Sequence, residues 1–77
     1  MAERYAPGGP LALAVAAIAE QRYDVALDRL EELLAIARGQ EDGKTRDHVA
    51  RLAARIAEEA AGLRERADRV VITARNW

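Results

Sequence analysis

The chain has no cysteine and no phenylalanine, only two prolines, and three aromatic residues in all, Tyr5, Tyr23 and Trp77. Each shortage excludes something. Without cysteine there is no disulfide staple and no thiolate metal site. With so few aromatics, a core has to be built from aliphatic side chains, and 18 of the 77 residues are alanine. Alanine and leucine favour closely packed helices over sheets. Long apolar runs are also missing. Leu11–Ala19 falls far short of the roughly 20 residues that span a bilayer, and no clear basic segment of the kind that opens a secretory leader precedes it. A non-membrane, cytoplasmic protein is the expectation.

Charge of one sign is lacking too. The formal net charge is −1, which gives no global electrostatic case for nucleic acid or an anionic membrane. The distribution is less even than the sum. Residues 1–43 carry four basic side chains against eight acidic ones, and residues 44–77 carry eight against five. Two such halves can pair within one chain or between two. A chain of 77 residues allows one small domain, which buries only roughly 60% of its unfolded surface. Self-association is an economical way to complete so small a core.

What is present is a heptad line. Val49, Ile56, Leu63 and Val70 recur every seven residues, and Ala53, Ala60, Ala67 and Ala74 follow each by four. That 4-3 spacing is the seam of a coiled coil with alanine at one position, which lets a partner helix approach closely. It predicts one long helix over about 44–74, roughly 45 Å long at 1.5 Å per residue. Gly62 lies off the seam and reads as a tolerated defect or slight bend costing about 1 kcal/mol.

Upstream, residues 1–9 read as an arm ending in Pro7-Gly8-Gly9-Pro10. A helix follows over about 10–20, apolar on every face and therefore enclosed by other helices or buried between subunits. Gln21–Asp24 is ambiguous. It contains no Gly or Pro, and a seven-residue spacing runs through it, which allows one unbroken helix over 10–38. Asp24 as an N-cap instead opens a second helix over 24–38. That segment ends at Arg38, with Gly39 expected at the left-handed position after the helix. Asp42 or Thr45 then caps the next helix.

The run Tyr23-x-x-Ala26-x-x-x-Leu30-x-x-Leu33-Leu34, preceded by Ala19-Glu20-Gln21-Arg22, resembles one tetratricopeptide (TPR) unit, with Leu13 and Ala14 near the leucine–small pair of its first helix. The turn lacks the usual glycine, no proline closes the second helix, and there is one unit where repeat arrays generally need about three. Tyr23 through Arg46, including Asp42-Gly43-x-x-Arg46, is loosely similar to the helical tail of thioredoxin-TPR co-chaperones. The thioredoxin domain and its cysteines are absent, so no activity carries over. The resemblance implies a helical hairpin used in protein–protein contact, with Tyr23, Ala26, Leu30 and Leu33 at the helix crossing. It also favours a break near Arg22–Asp24.

Nothing in the sequence points to catalysis, a cofactor or a metal. His48 stands beside Asp47 without a convergent ligand set. Asp47, Glu58, Glu59, Glu65 and Asp68 are interspersed with arginines, as on a solvated helix face, and no Glu-x-x-His motif accompanies them. Arg46, Arg51, Arg55, Arg64, Arg66, Arg69 and Arg75 suggest a phosphate-binding stripe, but Arg55 with Glu58 or Glu59 and Arg64 with Asp68 pair at helical spacing. No nucleotide-binding loop or catalytic triad is present. Trp77, and after it Tyr5, are candidate aromatic anchors for a partner. The expected fold is all-α: a short TPR-like hairpin plus a long C-terminal helix, completed by a second copy as an antiparallel bundle. The expected role is a homodimeric protein-interaction or adaptor module. The alternatives are a bundle that binds a small apolar ligand and a small nucleic-acid-associated regulator.

Overall fold

A computed structural model describes residues 10–76. Four α-helices follow one another: α1 (Pro10–Ala19), α2 (Tyr23–Gly39), α3 (Gly43–Glu59) and α4 (Arg64–Arg75), the last entered through a single 3₁₀ turn, Ala61–Leu63. There is no strand among the described residues. Successive helices pack on one another, and α2 also touches α4. The result is two helical hairpins in sequence, α1 with α2 and α3 with α4. The thinnest dimension is 14 Å, the span of two helix layers whose axes lie roughly 8–10 Å apart.

The first two turns share a design that glycine does not supply. After α1, the Arg22 N–H donates to the Ala17 carbonyl at 2.8 Å and the Gln21 N–H to Ile18 at 3.0 Å. After α2, the Asp42 N–H donates to Ala37 at 2.9 Å and the Glu41 N–H to Arg38 at 3.3 Å. These are Schellman closures, which require a left-handed residue just past the helix. Gln21 (φ 61°) and Glu41 (φ 54°) take that conformation. The expectation that Gly39 would do so is corrected: Gly39 ends α2 inside the helix, and the chain turns two residues later. Asp24 is not the N-cap of α2 either. The helix starts at Tyr23 with no side-chain cap bond, and Asp24 sits in its first turn, where a carboxylate still favours the helix dipole. At α3 the cap is Asp42. Its carboxylate accepts from the Thr45 N–H at 3.1 Å and from the Thr45 hydroxyl at 2.7 Å, which satisfies the one buried polar side chain of the described core.

The continuous helix expected over 44–74 is replaced by α3, a turn and α4. Ala60 leaves the helix at φ −129°, ψ 84°, and Gly62 falls in the 3₁₀ turn with open space where a Cβ would stand. Glycine's loss of roughly 1 kcal/mol in a helix makes this the least costly place to turn. The gain is burial. Folded back, Ala67, Val70 and Ala74 join Val49, Ala53 and Ile56 in one core cluster, with Ala60 and Leu63 packed half-buried against it. The heptad line is thus closed within a single chain, α4 lying along α3 where the expectation placed a second copy.

The remainder of the core comes from α1 and α2. Leu27, Leu30, Val49 and Ile56 are its largest fully buried side chains. Ala14, Ala17 and Ile18 supply the α1 share. Tyr23 packs against the cluster from the start of α2, while Ala26, Leu30 and Leu33 lie within it.

Candidate functional site

Three features of the surface are not explained by folding alone. The first is the outer side of α1. The helix reads PLALAVAAIA and has no charged residue at all. Among its described side chains only Ala14, Ala17 and Ile18 are buried, while Leu13 and Val15 are 42% and 47% exposed and Ala16 and Ala19 are exposed too. An apolar helix with one covered side leaves apolar side chains facing water.

The second feature is a pair of polar links between distant parts of the chain. The Tyr23 hydroxyl donates to Glu59 Oε1 at 2.7 Å, and Arg55 Nε donates to Glu59 Oε2 at 2.6 Å. The Tyr23 bond joins the start of α2 to the end of α3, and Arg55, one turn before Glu59 on α3, holds the carboxylate in place. The Glu59 carboxyl is held below the ordinary carboxylate value by the Arg55 hydrogen bond and then by that of Tyr23. The Tyr23 phenol is pushed up, chiefly by the same hydrogen bond to Glu59. On α4, Arg66 forms a fork on Glu31, with Nε to Oε2 at 3.2 Å and Nη2 to Oε1 at 3.1 Å, and also donates to Asp28. Its guanidinium is stabilised in the charged form by Glu31 first and Asp28 second. Such a bidentate clamp fixes the spacing of α2 and α4.

The third feature is a groove of about 390 Å³ between those same two helices, lined by Glu31, Leu34, Ala35 and Arg38 from α2 and by Arg69, Val70 and Thr73 from α4. Smaller depressions lie between α1 and α3, one beside Leu11 and His48 and one beside Val15 and Leu52.

The arginines do not form one stripe. Arg46, Arg51 and Arg55 belong to α3 and the other four to α4, which is folded back. Arg55, Arg64, Arg66 and Arg69 each reach a carboxylate. His48 is half-buried on α3, and no cluster of three or more His, Asp or Glu able to hold a metal occurs among the described residues. No described helix is long and apolar enough to cross a membrane. Trp77 and Tyr5 lie outside the described residues. Sequence reading missed the Arg66 clamp and the Tyr23–Glu59 bond, because both join residues some 35 or more positions apart. The available signal was the split into an acidic half and a basic half, which Arg66 and its two carboxylates now express within one chain. Compared with family models, curated proteins and solved structures, the chain matches none.

Proposed function

We propose that this protein is a small helical interaction module that docks a protein partner on the outer side of α1. One observation carries the reading: α1 has no charged residue and leaves Leu13 and Val15 in water. A free surface of that kind is a cost in solubility that binding removes. The two consecutive hairpins agree with the TPR-like character of Tyr23, Ala26, Leu30 and Leu33, whose implied role is protein contact.

Homodimerisation rests on a different basis from the one the heptads suggested. Val49, Ala53, Ile56, Ala60, Leu63, Ala67, Val70 and Ala74 are occupied within the chain, so a second copy would meet α1. An uncharged helix is compatible with its own two-fold image, since no like charges are brought together. The test is light scattering across a dilution series, on the chain and on Val15→Asp. The expected result is a mass that rises toward a dimer with concentration, while the variant stays monomeric at unchanged helicity. A monomer at high micromolar concentration in both would remove self-association. Association of Val15→Asp equal to that of the parent chain would place the contact on another surface and remove the α1 reading itself.

A further inference from the structure

We propose that the groove between α2 and α4 is a binding site for a medium-chain fatty acid, with the alkyl chain on Leu34, Ala35 and Val70 and the carboxylate held by Arg38 and Arg69. The volume of about 390 Å³ falls in the roughly 300–1,000 Å³ range of small-ligand sites. Its floor is aliphatic, and its charged rim is unbalanced. Glu31, the single acidic lining residue, is committed to Arg66 through two hydrogen bonds. Arg38 has no ion-pair partner among the described residues. Arg69 reaches only Glu65, at 3.7 Å, and that glutamate side chain is 93% exposed. The groove therefore offers two cations and no uncommitted anion above an apolar floor, the complement of an amphiphile with a negative head. Guanidinium groups bind carboxylates in a planar fork, and Thr73 at the same rim adds a hydroxyl donor.

The shape selects a short single chain. From Glu31 to Arg38 the groove follows about two helical turns, roughly 10 Å, and the Arg66 clamp on Asp28 and Glu31 stands at one end. A peptide helix, itself about 10–12 Å across, needs a wider trough. One alkyl chain running along the slot, with its carboxylate toward the arginines, fits both length and charge.

The experiment is a titration of the isotopically labelled full chain with decanoate, below its micelle concentration, followed by backbone amide shifts. Decanol and decyltrimethylammonium serve as controls with the same chain. Saturable shifts confined to Leu34–Arg38 and Arg69–Thr73 are expected, with decanol roughly tenfold weaker for want of the charged hydrogen bonds and the ammonium compound not binding there. Arg38→Gln and Arg69→Gln should each weaken decanoate toward the decanol value. Ala35→Leu, at an exposed position, should fill the floor and abolish binding while helicity is kept. Equal affinity for decanol, binding indifferent to Arg38→Gln and Ala35→Leu, or shifts centred on Leu13 and Val15 of α1 would each overturn the proposal.

Discussion

The first hairpin, α1 with α2, and the second, α3 with α4, are built from the same aliphatic residues but differ in what they leave outside. In the second hairpin each helix is amphipathic. Its apolar line faces inward, and its outer side carries charges that pair along the helix, as Arg55 does with Glu59 and Arg64 with Asp68. In the first, α2 carries charges but leaves Val25 and Ile36 partly in water, and α1 keeps an apolar outer side with no charged residue. The second hairpin is the more nearly complete, with Ile72 of α4 its one large apolar side chain left in water, whereas the first leaves Leu13 and Val15 of α1 and Val25 and Ile36 of α2 exposed. The lesson is where association is expected: the regular heptads, which look most like an interface, are used up inside the chain, and the plain alanine-rich helix is the side left open.

Substitutions can break or sharpen that contrast. The largest effect is expected from Leu30→Ala, at a fully buried residue of α2, the helix that touches all three others. A loss of about 2–5 kcal/mol, read by chemical denaturation, should unfold both hairpins in one transition. Two separate transitions would mean that the hairpins fold independently. Next comes the same enlargement made on each hairpin. Ala67→Leu, at a residue with no exposure, should cost about 1–3 kcal/mol by overpacking, whereas Ala16→Leu on the exposed side of α1 should leave the denaturation midpoint of the monomer nearly unchanged. Equal costs would show that α1 is covered after all.

Smaller effects test the links between the hairpins. Arg66→Ala should destabilise by no more than about 1 kcal/mol, because its partners Asp28 and Glu31 are well exposed and such pairs are screened, and added salt should shrink the difference. Gln21→Gly and Glu41→Gly should each stabilise by about 0.5–1 kcal/mol, since glycine accepts the left-handed conformation without a Cβ clash. No change in melting temperature would mean that these turns carry no strain. The smallest expected effect is acid dependence at Glu59. Its folded pKa is lowered, so its contribution is present above the ordinary carboxylate range and is lost as pH falls through the folded value. Glu59→Gln should flatten stability against pH in that window. An unchanged profile would remove the Tyr23–Glu59–Arg55 network from the stability of the fold.

How much was legible in the sequence differs from element to element. The helical class followed from composition, and the apolar nature of α1 is plain in its ten residues. The heptads identified eight residues that all lie in or against the core, yet they concealed the turn between them. Periodicity reports which residues are apolar, and Ala60 and Leu63 keep the 4-3 spacing even though the backbone leaves the helix there. Gly62 was the local sign, and its modest helical penalty was set against the pattern and outweighed. The left-handed turns were hidden for a related reason: Gln21 and Glu41 have no side-chain feature that announces positive φ, while Gly39 does and does not use it. The candidate grooves were invisible because each is made by two helices, and their residues share no motif.

The neighbour-on-neighbour packing of the four helices also has a kinetic meaning. Contacts made mainly between consecutive elements need little loop closure before they form, which places such a chain among helical proteins that fold in microseconds to milliseconds. Arg66 with Asp28, Tyr23 with Glu59 and Arg66 with Glu31 span the longest separations of the described side-chain hydrogen bonds. Loop closure costs most at such separations, so these bonds are expected to close late in folding. Hydrogen exchange that is earlier in α4 than in α2 and α3 would show α4 opening before global unfolding.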